Sequence, residues 1–231
     1  MNTGSGAGEV GPWGYGAELI PMFDPAKIHV YNEGKGGRSS RGYREEGLWQ
    51  SLLSRMEPGD WVLLQFGHND AANSQNYPDR ISGKANGDEL SEVNAPGGMK
   101  RVHSYGWYLR QYVQEAAEKG VKVVILSPVP RNHWADGRIR RGFDGYVQWA
   151  AEAAKASGAF YMDLNALAAD RYDALGQQAA AQMFNDLQHT RKAGAKINAE
   201  SVVAGLKQLK DCPLAASLVK DPTPDASEKK Q

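Results

Sequence analysis

The sequence predicts an α/β protein built on an open, doubly wound parallel sheet. Apolar runs rich in β-branched residues recur at "IHVYN" (28–32), "WVLLQF" (61–66), "VKVVILSPV" (121–129) and "AFYMDL" (159–164). Their apolar character is continuous rather than alternating, which suits strands buried on both faces of a parallel sheet. Helical patterns fill the intervals between them, and this alternation reads as helices covering both faces of one sheet.

Each element has its own signal. "GYGAELIPMF" (14–23) predicts a helix leading into the first run. "YREEGLWQSLLSRM" (43–56) predicts a second, with Leu48, Leu52 and Met56 four residues apart, stopped by "EPGD". Residues 99–120 place Val102, Tyr105, Leu109, Tyr112, Val113 and Ala116 on one stripe, with Gly120 as a C-terminal cap. "FDGYVQWAAEAAKASG" (143–158) and "NAESVVAGLKQL" (198–209) predict two more helices. Residues 68–98 have no periodicity, and a loop of that length inside a compact domain is usually functional or mobile. The polar, proline-containing stretch 219–231 reads as a disordered tail, so the domain is expected to span 1–218.

Bulk properties exclude several functions. Lysine plus arginine is 27 and aspartate plus glutamate is 27, so no overall positive field exists to hold a nucleic acid, although a local basic patch is compatible with the total. No apolar run reaches membrane-spanning length, so no membrane partner is expected. Cys212 is the single cysteine; it has no intrachain partner and reads as a buried or idle thiol. "MNTGSGAGEVG" shows no basic start followed by an apolar stretch, so no signal peptide is visible. "GAGEVG" (6–11) formally fits G-x-G-x-x-G, but only five residues precede it, too few for the strand that dinucleotide binding requires.

In open parallel sheets, ligands bind beyond the carboxyl ends of the strands. Polar clusters follow three of the predicted strands: "NEGKGGRSSR" (32–41), "GHND" (67–70) and "PRNHW" (130–134). A fourth, "FNDLQHT" (184–190), precedes the last helix. A backbone N–H in the Gly36–Gly37 turn and the side-chain amide of Asn69 could together hold an oxyanion. His189 would be the general base, and Asp186 would fix its tautomer. Each also has a plain structural reading: a tight turn, a turn whose Asn and Asp bond their own backbone, a helix cap and a surface histidine. His68, Asp70, Asp186 and His189 are metal-ligand types, but they match no metal-binding spacing and no metal is expected.

The set N-x-x-x-G-G-R-S-S-R (32–41), Q-F-G-H-N-D (65–70) and D-x-x-H-T (186–190) resembles the GDSL or SGNH hydrolases, most closely the rhamnogalacturonan acetylesterase group. "GPWGYG" (11–16) stands where that family has a Gly-Trp-Gly turn. The resemblance implies a flavodoxin-like three-layer sandwich, removal of acetyl esters from pectic polysaccharides without a cofactor, and secretion or export to the periplasm. It implies Asp186 and His189 as triad partners and Gly37 and Asn69 as oxyanion donors. Trp107, Trp134, Arg38 and Arg131 are candidates for contact with an acidic saccharide, beside the plain reading of Trp107 as core on its helix stripe and of the arginines as loop caps. The family's nucleophile sits in a Gly-Asp-Ser-Thr block after a first, central strand, and neither occurs in this sequence. Ser5 is in a glycine-rich leader, and Ser39 and Ser40 are expected to support their loop. The favoured expectation is therefore an acetylesterase whose serine and first strand lie upstream of Met1. The alternative is a carbohydrate-binding relative without turnover.

Overall fold

The computed structural model describes residues 11–71, 80–95 and 97–220. Ser5, most of "GAGEVG" and residues 221–231 of the expected tail lie outside the described residues.

A three-stranded parallel sheet forms the centre. Strand β1 (Trp61–Leu64), strand β4 (Lys122–Leu126) and strand β7 (Phe160–Met162) lie in the order β1-β4-β7. Trp61 stands opposite Lys122 and Leu64 opposite Ile125; Val124 faces Phe160. Alternation along β4 builds two cores, because successive side chains leave opposite faces of a strand. Val123 and Ile125 pack with Val62, Leu64, Trp49, Leu109, Tyr112 and Ala150. Val124 and Leu126 pack with Tyr15, Leu19, Ala195, Ala199 and Val202 on the other face.

Helices α2 (Ser40–Glu45), α3 (Leu48–Arg55), α4 (Tyr105–Glu118) and α5 (Tyr146–Ser157) cover the first face. Helices α1 (Tyr15–Leu19) and α8 (Lys192–Gln208) cover the second. Helices α6 (Leu164–Leu175) and α7 (Gln177–Ala181) lie between β7 and α8 in the chain. Buried Tyr172, Ala168 and Ala180 join them to Phe184 in a smaller core. Cys212 is buried and free.

Several expected elements are revised. The helix expected over 43–56 is two helices, because Gly47 adopts φ +73° and breaks the run. The helix expected from Met99 starts at Tyr105: residues 90–95 (strand β2, Leu90–Ala95) and 98–103 (strand β3, Gly98–His103) pair as an antiparallel hairpin, and Ser104 caps α4 by accepting from the Trp107 N–H at 3.0 Å. The aperiodic 68–98 stretch therefore contains a strand. The helices over 164–181 have no counterpart in the sequence reading. Val219, placed in the expected tail, is still docked, its N–H donating to the Met22 carbonyl at 3.0 Å.

The largest revision is at 28–32. This segment forms no ladder with any described residue. A cavity of about 820 Å³ is lined by residues 27–35 and by residues 59–66, and no ladder joins the two segments. Val30, Asn32, Trp61, Leu63, Gln65 and Phe66 are among its walls. The β1 edge that faces it has no strand partner among the described residues.

Candidate active site

Four loops meet at the carboxyl edge of the sheet. The first follows β1. Gly67 takes φ +130°, and a Cβ there would lie 2.5 Å from the Pro128 ring, so glycine lets the loops after β1 and β4 touch. Asp70, fully buried, closes this loop: its carboxylate accepts from the Gly67 N–H at 3.0 Å and the Ser82 hydroxyl at 3.0 Å. It also accepts from the Ser40 N–H at 3.1 Å and from the Ser40 hydroxyl. Burial raises the Asp70 carboxyl above the ordinary carboxylate range, and the bonds from Ser40, Ser82 and Gly67 oppose that rise.

The Asp70–Ser40 contact draws in the second loop, residues 33–39. Gly37 has φ +78°, and its N–H makes no hydrogen bond among the described residues. Asn69 lies against the same loop: its Nδ2 donates to the Arg38 carbonyl at 3.2 Å and its Oδ1 accepts from Arg80 at 3.3 Å. Arg80 also sits 3.1 Å from the position a Gly37 Cβ would occupy. Gly37 and Asn69 are thus brought together. Arg38 turns away to Glu46, with Nε–Oε2 at 2.9 Å, and to the Gly36 carbonyl.

The third loop, 184–190, holds the acid–base pair. Oδ1 of Asp186 accepts the N–H groups of Gln188 and His189, each at 2.7 Å, and Oδ2 lies 2.7 Å from His189 Nδ1. Burial pushes the Asp186 carboxyl up, but the N–H groups of His189 and Gln188 and the His189 ring outweigh it and hold the group below its ordinary value. An ionised carboxylate only accepts, so Nδ1 carries a proton, and in the neutral ring Nε2 is the nitrogen with the lone pair. Thr190 anchors the loop to the chain before α1: its carbonyl accepts from the Trp13 N–H at 2.7 Å, and its hydroxyl donates to the Trp13 carbonyl at 2.9 Å.

The fourth loop follows β4. Arg131 Nε donates to Gln188 Oε1 at 3.2 Å, and the Asn132 N–H donates to the Leu187 carbonyl at 2.8 Å. Half-buried Trp134 donates its ring N–H to Asn132. His68, next to Asn69, is buried. The loop after β4 therefore touches both halves of the expected site, Gly67 through Pro128 and residues 187–188 through Arg131 and Asn132.

Among the described residues, no serine hydroxyl bonds His189. Ser39 caps α2, Ser40 and Ser82 serve Asp70, and Ser127 donates to Asp163. No group of three or more His, Cys, Asp or Glu side chains among the described residues could hold a metal ion. No helix among them is long and apolar enough to cross a membrane.

Sequence reasoning missed the work of Asp70, His68, Arg80 and Gln188. Asp70 and His68 stood in the sequence as parts of "GHND" and as metal-ligand types, and Arg80 sits in a stretch with no periodic signal.

The match to the GDSL-like lipase/acylhydrolase family runs over residues 3–197. This chain belongs to that family. It is 31% identical over 181 residues to the rhamnogalacturonan acetylesterase of Emericella nidulans, covering 78% of this chain and 74% of that one. It is also 31% identical over 217 residues to a probable rhamnogalacturonan acetylesterase, YesY, of Bacillus subtilis, covering 91% and 89%. Among solved structures it resembles the Bacillus subtilis protein YxiM, with a TM-score of 0.70 and 22% identity, over 85% of this chain and half of that one. It also resembles an acetylxylan esterase of Geobacillus stearothermophilus, with a TM-score of 0.59 and 20% identity, over 83% and 80%. Those structural likenesses establish the flavodoxin-like α/β fold.

Proposed function

We propose that this protein is a carbohydrate O-acetyl esterase of the SGNH type, acting on an acetylated pectic polysaccharide, with a serine nucleophile supplied from outside the described residues. The observation that carries the reading is the Asp186–His189 pair, with Nε2 left as a base on the edge that also bears Gly37 and Asn69. The acetylesterase names of the relatives point to the same chemistry.

In the reaction, a serine hydroxyl attacks the acetyl carbonyl carbon while His189 Nε2 takes its proton. The Gly37 N–H and the Asn69 amide stabilise the oxyanion. Collapse expels the sugar oxygen, which receives the proton back from His189. Water, deprotonated by His189, then releases acetate from the acyl-serine. Asp186 holds the imidazole tautomer and stabilises the imidazolium.

The cavity between residues 27–35 and β1 offers a place for the serine-bearing segment. One wall is the β1 edge and the other a segment carrying Ile28 and Val30, and a parallel strand is the occupant that would satisfy the unpaired β1 edge. Trp13, bonded to Thr190, brings the chain past the triad edge just before α1. A strand joined there in cis would end beside His189, where a serine is needed.

The test is labelling with a serine-directed phosphonate, mapped by mass spectrometry, on residues 1–231 and on the same chain extended by its in-frame upstream polypeptide. The expectation is no label on 1–231 and one label on an upstream serine in the longer form. A label on Ser5, Ser39 or Ser40 of 1–231 would overturn it. Saccharide binding with neither form labelled would favour the alternative, a binding protein without turnover.

A further inference from the structure

Arg80 touches both of the groups proposed to hold the oxyanion. Its Nη1 donates to Asn69 Oδ1 at 3.3 Å. Its Nη2 lies 3.1 Å from where a Cβ on Gly37 would stand. The guanidinium therefore rests against the bare α-carbon of Gly37, and glycine there leaves room for it as well as permitting a φ of +78°.

One buried carboxylate places all three residues. Asp70 accepts from the Ser40 N–H at 3.1 Å and from the Ser82 hydroxyl at 3.0 Å. Ser40 lies just after Gly37 in the chain, Asp70 directly follows Asn69, and Ser82 lies just after Arg80. Three stretches distant in sequence are thus pinned at one point, and the half-buried guanidinium of Arg80 is set between the other two.

These contacts decide which way the Asn69 amide faces. An amide has an acceptor oxygen at one end and two donor hydrogens at the other. Nδ2 gives one hydrogen to the Arg38 carbonyl at 3.2 Å, while Oδ1 accepts from Arg80. Turned over, the amide would set its oxygen against a carbonyl and its NH₂ against a cation, losing both bonds at once. In the observed orientation the second Nδ2 hydrogen is the one left for an anionic oxygen. A cation bonded to the amide oxygen also draws electron density from the nitrogen, and linked hydrogen bonds strengthen one another in this way.

We propose that Arg80 is a positioning residue for the oxyanion hole: seated against Gly37, it fixes the orientation of the Asn69 amide and strengthens its N–H toward an anionic oxygen. This rests on the acetylesterase reading for the reaction, but the amide's orientation is also tested without turnover.

The experiment is a double-mutant cycle on nitrophenyl acetate hydrolysis by the chain bearing its in-frame upstream polypeptide, in wild type, Arg80→Met, Asn69→Ala and the pair. Asn69→Ala should lower kcat by about 10²-fold or more, the scale of one oxyanion donor. Arg80→Met should lower kcat by about tenfold with KM unchanged, because the donor is used only as charge develops in the transition state. With Asn69 already removed, the same change should lower kcat by less than about twofold. Arg80→Lys keeps a charged donor, should fall between wild type and Arg80→Met, and serves the cycle if Arg80→Met does not fold. An equal factor with and without Asn69 would mark a merely structural role and overturn the proposal, as would an unchanged kcat. A wild type without turnover would end the acetylesterase reading, and the proposal would be decided on the ¹⁵N-labelled protein. There the Asn69 side-chain amide signals should move in Arg80→Met. Those of Asn132, in the loop before the hairpin of strand β5 (Trp134–Ala135) and strand β6 (Arg138–Ile139), should stay. Unmoved Asn69 signals would overturn the proposal.

Discussion

The buried carboxylate of Asp70 takes both the N–H, at 3.1 Å, and the hydroxyl of Ser40, thirty residues earlier in the chain. That pair ties the loop carrying Gly37 to the loop carrying Asn69. Replacing Asp70 with alanine strands the donors of Gly67, Ser40 and Ser82. The expected loss is about 3 kcal/mol, since each buried unpaired donor costs about 1–3 kcal/mol and relief of the buried charge returns part of the total. Asp70→Asn keeps one acceptor oxygen and should lose less. Urea unfolding of both variants checks the order; an Asp70→Ala variant as stable as wild type would show that the loops are held elsewhere.

His68 gives a pH dependence of defined sign. Burial holds its folded-state basicity well below the ordinary imidazole value of 6.5. Between that lowered value and 6.5 the unfolded chain binds a proton that the folded one does not, so stability is full above 6.5 and declines as pH falls below it. Asp70, raised by burial, works in the opposite sense closer to the carboxylate range. His68→Gln, which cannot titrate, should flatten the decline from about pH 6.5 to 5. Unfolding midpoints of the two proteins across that interval are the measurement, and parallel curves would remove His68 as the cause.

Gly67 should resist substitution more than Gly59. Both have positive φ, at +130° and +97°, but an added Cβ meets Pro128 at 2.5 Å only at Gly67. Gly67→Ala should therefore lose about 1–3 kcal/mol more than Gly59→Ala, the usual cost of overpacking. Comparable losses at the two sites would mean that Pro128 shifts freely.

How much of this was legible depended on what each signal needed. The runs at 61–66 and 121–129 contain strands because their own residues fill both faces, as Val123 and Val124 do on opposite sides of β4. The 28–32 run carries the same composition, but a strand also needs a neighbour, and composition says nothing of a neighbour's distance. The helical stripe at 99–120 ran too far back because Val102 suits a helix face and a hairpin equally; its pairing with Ser91 decides. Asp186 and His189 were readable from a spacing of three. The contact of Arg131 with Phe143 was not, because eleven residues of loop and hairpin separate them and a left-handed backbone completes the approach.

His189 should matter to chemistry and little to stability. Its ring is nearly half exposed and, among the described residues, makes one hydrogen bond, to Asp186. His189→Ala should leave the unfolding free energy within about 0.5 kcal/mol of wild type, as surface substitutions do. A large loss of stability would recast the pair as a loop clamp.

The most direct test of the central claim is acetate release from O-acetylated rhamnogalacturonan by the chain bearing its in-frame upstream polypeptide, assayed beside His189→Ala. The account predicts release by the parent, and a fall of about 10⁴-fold or more in the variant, the scale on which triad bases act. No release by the parent, or release that His189→Ala leaves unchanged, would contradict it.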